Sequence, residues 1–158
     1  MKTPDRILRI LKHPYVALAL RVYIGGLFVY ASLHKINHAA EFAEIIAGYQ
    51  MVPYWAVNIM AASLPWVELV CGALLITGIR ARSAAVLIGF LLVLFTCGIV
   101  VNLTRGTPVS CGCFSALSDE MSFRTILRDL VWAAMTLHVF LYDRLFHLDR
   151  KLFVERHA

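Results

Sequence analysis

Between Ala84 and Leu103 the chain runs for 20 residues without a charged side chain. About 20 consecutive apolar residues are what a helix needs to cross the hydrocarbon core of a bilayer. Three further apolar runs cover residues 14–33, 53–79 and 123–142. Because a bilayer offers no water to backbone N–H and C=O groups, and because the runs lack the alternation of a β-barrel, each run is predicted to form a helix.

The composition indicates one membrane domain and argues against a soluble enzyme. Hydrophobic residues make up 60% of the 158 residues and charged residues only 16%, and a soluble domain of this size cannot bury so much apolar surface. We therefore predict an all-α membrane protein in which residues 1–158 form a single four-helix transmembrane bundle in a lipid bilayer. The net charge of +5 does not indicate a nucleic-acid binder, since the charges lie at the ends of the apolar runs.

The distribution of Lys and Arg predicts the orientation of the bundle. Three of these residues, Lys35, Arg105 and Arg124, fall on one side of the membrane. Ten fall on the other: Lys2, Arg6, Arg9, Lys12, Arg80, Arg82, Arg144, Arg150, Lys151 and Arg156. Cytoplasmic connections carry the excess of positive charge. Both termini are therefore predicted to be cytoplasmic in a bacterial inner membrane, and the connections 34–52 and 104–122 are predicted to face the periplasm.

The first outer connection has the pattern of a short helix on the membrane surface. Glu41 and Glu44 lie on one side of the predicted helix, and four apolar residues at helical spacing lie on the other: Phe42, Ile45, Ile46 and Tyr49. A linker without regular structure is the alternative.

Cys111 and Cys113 are separated by one glycine in the second outer connection, on the side of the membrane where disulfides persist. A disulfide needs Cα atoms within about 4.4–6.8 Å, and Gly112 permits the backbone to fold that tightly. So short a bridge is strained, and strain makes a disulfide easier to reduce. The two cysteines are therefore the candidate catalytic residues for thiol-disulfide exchange, and a passive local bridge or a pair of loop thiols is the alternative.

A metal site is the competing chemical interpretation of the same thiols. His34 and His38 lie one helical turn apart in the other outer connection, and with Cys111 and Cys113 they would form a Cys2His2 set. The cysteine spacing is shorter than that of the usual structural zinc motifs. Metal binding therefore ranks below thiol chemistry.

The remaining cysteines lie inside predicted spans. Cys71 is expected to pack as a small apolar residue. Cys97 precedes the outer end of its span at Asn102 by about 8 Å along the helix axis. It is therefore a candidate to exchange with the loop pair.

Four charged residues lie inside the predicted spans and away from their ends. Arg21 and Glu68 lie near the middle of the first two runs, and since an isolated charge at that depth is costly, the two are expected to pair. The pair is interpreted either as a structural contact or as a proton or ligand site. Arg128 and Asp129 lie in the outer half of the fourth run, where Arg128 is expected to favour a thiolate and Asp129 to carry protons.

Several residues together form a recognisable pattern. They are Arg21, Gly25, Gly26, Phe28 and Lys35 in the first run, Pro65, Glu68, Gly72 and Gly78 in the second, and Cys111, Gly112, Cys113, Phe114, Arg128 and Asp129 in the last part. From Arg21 to Tyr142 the chain resembles the MauE family of redox-associated membrane proteins, within the DoxX-like superfamily of four-helix membrane proteins. Ser32 and Ser115 depart from this pattern, since glycine is common at both places.

The resemblance implies a protein that works with periplasmic thioredoxin-like partners. It would act in disulfide formation or in the maturation of periplasmic redox enzymes such as methylamine dehydrogenase, and Gly112, Phe114, Arg128 and Asp129 would support the dithiol.

A disulfide that takes up electrons from a partner becomes a dithiol, and an electron acceptor is then needed to reoxidise it. In a bilayer the natural candidate is a quinone held near Arg21, Glu68 or Trp66. A non-enzymatic assembly subunit that docks a periplasmic redox protein is the alternative from another functional class.

Overall fold

The computed structural model describes residues 13–105 and 123–142. Within these residues no strand is present and the helices are five in number: α1 (Pro14–Asn37), α2 (Ala39–Gly48), α3 (Tyr54–Thr77), α4 (Ala81–Arg105) and α5 (Phe123–Tyr142). The four long helices are long and apolar enough to cross a membrane. The prediction of an all-α protein with four membrane-spanning helices is confirmed.

Backbone geometry fixes the turn between α3 and α4. Gly78 has a φ of 79°, in the left-handed region that glycine adopts without strain. Its N–H donates a hydrogen bond to the Leu74 carbonyl at 3.0 Å, which closes the last turn of α3. As a result α3 ends at Thr77 and α4 begins at Ala81, so the helix ends differ by two or three residues from the apolar runs.

The helices α1 and α3 form a closely packed pair, and α4 packs chiefly against α5. Between α1 and α3 the backbones meet at two glycines: a Cβ atom built on Gly25 or on Gly72 would lie 2.9 Å from the other residue's carbonyl oxygen. All four long helices contribute to the central apolar core, which includes Ile24, Phe28, Leu75, Ile88, Leu92, Trp132 and Val139.

The outer surface of the four long helices is apolar. Phe90, Leu130 and Trp66 are each more than half exposed, and so large an apolar surface is stable only against lipid. Tyr54 and Trp55 are 85% and 74% exposed at the first turn of α3, where aromatic side chains suit the membrane interface.

The short helix in the first connection is confirmed. On α2, Phe42 and Ile46 are buried and pack against Val57 and Ala61 of α3, and Glu41 is exposed. We call the end of the bundle that carries α2 the α2 end. At this end α1 and α4 terminate, and α3 and α5 begin. The Arg105 Nη1 donates a hydrogen bond to the carbonyl oxygen of Tyr49 at 3.5 Å.

Candidate functional site

A buried ion pair joins α1 to α3. The Lys35 Nζ donates to both carboxylate oxygens of Glu68, at 2.8 Å each, and the two side chains are only 3% and 1% exposed. Glu68 lies about 21 Å along the axis from the start of α3 at about 1.5 Å per residue, well inside the span. Helical side chains lean toward their own N-terminus, so the Lys35 side chain extends from near the end of α1 back into the bundle.

Two aromatic rings enclose the same ammonium group. The Lys35 Nζ lies 5.0 Å from the ring centroid of Phe42 on α2 and 4.9 Å from that of Phe95 on α4. Both distances suit cation–π attraction, which is stronger where water is excluded. Lys35 is therefore held by three different helices besides its own.

A third charged residue faces this pair across a small cavity. The cavity has a volume of about 10 Å³, which is roughly the room that one water molecule needs. It is lined by Phe28, Ala31, Lys35, Glu68, Leu92, Phe95 and Asp129. Asp129 is 1% exposed, and neither of its carboxylate oxygens has a hydrogen-bond partner. We call Lys35, Glu68 and Asp129 the polar cluster.

Arg128 supplies a second positive charge beside Asp129. Its Nε lies 3.5 Å from the Asp129 Oδ1, and its side chain is 20% exposed. The guanidinium also lies 4.8 Å from the ring centroid of Trp132. Arg128 and Asp129 therefore form an ion pair near the start of α5.

Comparison with known proteins places the whole described bundle in one family. The family model described as "Methylamine utilisation protein MauE" matches residues 13–142. The chain belongs to the MauE family.

Individual relatives agree with this assignment to the MauE family. The chain is 35% identical over 128 residues to a protein of Paracoccus denitrificans named "Methylamine utilization protein MauE", covering 80% of this chain and 69% of the relative. It is 32% identical over 125 residues to a protein of that name from Methylorubrum extorquens, covering 78% and 67%. No solved structure matches the chain.

In this MauE-family chain the prediction that Glu68 pairs with Arg21 is wrong. Glu68 pairs with Lys35 instead of Arg21. The contact of Gly25 with Gly72 and Ile76 sets the register between α1 and α3. Arg21 lies one turn before Gly25 and is therefore displaced from Glu68 toward the Gly78 end of α3, where it is buried at 2% exposure.

The burial of Lys35 is not predicted from the sequence, because the apolar run ends at Leu33 and the charge count places the lysine in the outer connection. The helix continues to Asn37, and Lys35 follows Ile24, Phe28 and Ala31 on one buried stripe. That spacing of three or four residues is the signal that would have placed it inside.

The residues proposed to surround a quinone do not form one pocket. Trp66 is 57% exposed while Glu68, two residues later, is 1% exposed, so the two side chains lie on different faces of α3. The cavity beside Glu68, at about 10 Å³, has room for about one water molecule and none for a quinone ring.

The cysteines fall into two groups. Cys111, Gly112, Cys113 and Phe114 lie outside the described residues, and their proposed role stays a prediction. Cys71 is buried in the core, as expected, and Cys97 is exposed. On α4, Cys97 shares the lipid-facing side with Val93 and Val100, so it is directed away from the polar cluster.

The two histidines proposed as metal ligands do lie together. The ring centroids of His34 and His38 are 4.5 Å apart, and the His38 Nδ1 lies 3.0 Å from the His34 carbonyl oxygen. Residues 13–105 and 123–142 contain no group of three or more metal-ligating side chains. The proposed thiol ligands of a Cys2His2 site lie outside these residues.

Proposed function

We propose that this protein is a bacterial inner-membrane component of methylamine utilisation that exchanges disulfides through Cys111 and Cys113. The partner would be a periplasmic thioredoxin-like protein, or a redox enzyme such as methylamine dehydrogenase during its maturation. Family membership supports the physiological setting, since the relatives are named for methylamine utilisation. The observation that carries the chemical proposal is that Arg105 and Phe123, which flank the cysteine segment, both lie at the α2 end.

The exchange conserves atoms and electrons. The thiolate of one cysteine attacks the partner's disulfide, so one S–S bond breaks and a mixed disulfide forms. The second cysteine then attacks the mixed disulfide. The partner leaves as a dithiol with two electrons and two protons, and Cys111 and Cys113 remain joined. The reverse sequence oxidises a partner dithiol.

Replacing both Cys111 and Cys113 by serine is expected to abolish thiol exchange and growth on methylamine, because serine cannot form a disulfide. Of the single variants Cys111→Ser and Cys113→Ser, the one that removes the resolving cysteine is expected to trap a covalent complex, since the mixed disulfide formed by the attacking cysteine cannot resolve. Non-reducing electrophoresis with mass spectrometry would identify the complex. The matched control is Cys71→Ala, which changes a cysteine that packs in the core and should leave both readouts intact.

Full growth of the double serine variant on methylamine, without any trapped complex in the single variants, would contradict the redox proposal. That result would instead support an assembly subunit that docks a periplasmic redox protein without exchanging electrons.

We further propose that the α2 end faces the periplasm and that both termini are cytoplasmic. Lys35 is buried and therefore does not count as a charge of the outer connection. Ten Lys and Arg residues on the proposed cytoplasmic side then compare with two on the other side, Arg105 and Arg124.

In a cysteine-free background, Glu41→Cys is expected to react with a membrane-impermeant maleimide on intact spheroplasts. Arg82→Cys is the matched control, since it is equally exposed but lies beside the turn at the opposite end, and it should react only after lysis. If Arg82→Cys but not Glu41→Cys were labelled on intact spheroplasts, the orientation would be the opposite of the one proposed.

A further inference from the structure

The cavity in the polar cluster combines unused hydrogen-bonding groups with space for a ligand. The Asp129 carboxylate lines it, is 1% exposed and accepts no hydrogen bond at either oxygen. A buried carboxylate without a donor loses its hydration and gains no hydrogen bond in exchange, which is unfavourable. The Nε of Arg128, 3.5 Å from the Asp129 Oδ1, offsets part of this charge.

Lys35 has a donor to spare. An ammonium group carries three N–H donors, and Glu68 accepts two hydrogen bonds from Lys35 at 2.8 Å. Lys35, which carries the third N–H, lines the same cavity as Asp129. A donor and an acceptor that both require a partner therefore border one small space.

We propose that this cavity binds a single water molecule, which accepts a hydrogen bond from the Lys35 ammonium and donates one to the Asp129 carboxylate. The chain Glu68–Lys35–water–Asp129 would then link α3, α1 and α5 inside the membrane. A buried water needs two to four polar partners and about 10–15 Å³, and the polar cluster offers both. The water would satisfy the groups that the protein leaves unpaired.

The charges of the polar cluster favour a neutral ligand. Lys35 balances Glu68, and Arg128 lies beside Asp129, so the two carboxylates already face two cations. From α4, Leu92 and Phe95 line the cavity, and both side chains are uncharged. A sodium ion would bring an uncompensated positive charge and only a few oxygen ligands.

The water is expected to be visible by solid-state NMR of the full chain in lipid bilayers. With ¹⁵N-labelled lysine, polarisation transfer at short mixing times should give a cross peak between the Lys35 Nζ and water protons that survives in dehydrated samples. Ala31 lines the cavity and is 3% exposed, so Ala31→Val would place two methyl groups in the water's space. This change is expected to reduce the cross peak to the noise level.

Two further variants separate loss of water from loss of fold. Gly26→Ala adds a methyl group to the same helix where no atom lies within 4 Å, and it should keep the full cross peak. Asp129→Asn retains an acceptor at the same place and should keep it too, whereas Asp129→Leu should lose it. The aliphatic region of the spectrum reports folding in each sample.

Absence of the cross peak in the folded wild-type protein would overturn the proposal, as would its survival in Ala31→Val. A cross peak that appears in choline buffer and is displaced by sodium would instead identify a cation site. All samples can carry Cys111→Ser and Cys113→Ser, so the outcome is independent of the proposed thiol chemistry.

Discussion

Replacing Lys35 by methionine is expected to lower the free energy of unfolding by about 3–5 kcal/mol, because the change leaves the Glu68 carboxylate buried without its cation. The Lys35 Nζ contacts both oxygens of Glu68 at 2.8 Å, and a carboxylate at this depth cannot be rehydrated by the bilayer. Unfolding measured in detergent micelles, or by steric trapping in bilayers, would give the value.

The double variant Lys35→Met with Glu68→Leu tests whether this effect comes from the unpaired charge. Removing both charges leaves no buried ion, so the double variant is expected to be more stable than Lys35→Met alone. Glu44→Gln, which changes an exposed carboxylate of α2, is the control and should alter stability by less than about 0.5 kcal/mol. A double variant as unstable as the sum of the two single variants would show that packing, and not pairing, explains the loss.

Introducing alanine at Gly72 is expected to lower the free energy of unfolding by about 1–3 kcal/mol, the usual effect of forcing extra atoms into a packed interface. Its new Cβ atom would lie 2.9 Å from the Gly25 carbonyl oxygen and 3.0 Å from the Val29 Cγ2. Since the first of these is a backbone atom, relief requires α1 and α3 to separate. This separation should also lengthen the Lys35–Glu68 contact.

Gly26→Ala provides the matched control for Gly72→Ala. A Cβ atom there meets nothing within 4 Å, and alanine favours a helix over glycine by about 1 kcal/mol. The two glycines are thus expected to respond with opposite signs in the same unfolding experiment. Equal destabilisation at both would mean that the close approach of the two helices does not govern stability.

The four spans could be predicted from the sequence because a segment's own residues decide whether it forms a membrane-spanning helix. A run such as Ala84–Leu103 requires a helix in lipid whatever its neighbours are. The helix ends were less accurate because they depend on backbone hydrogen bonds: Gly78 closes α3, and α1 continues past Leu33 to Asn37.

The polar cluster was only partly predictable because it depends on the register between helices. Glu68 and Asp129 were both identified as intramembrane charges, and nothing in the residue order indicated that they line one cavity. The Gly25–Gly72 contact sets which charge of α1 reaches Glu68. Counting residues from the ends of each run favoured Arg21, whereas the packed helices select Lys35.

The position of the Lys35–Glu68 pair also bears on how the chain is made. A charged side chain within a span opposes release from the translocon into lipid, by up to about 2.5–3.5 kcal/mol at the centre of the span. The two partners lie on α1 and α3, which are consecutive spans. We therefore expect these spans to leave the translocon together as a hairpin in which Lys35 and Glu68 are already paired, after the ribosome has completed the second of them.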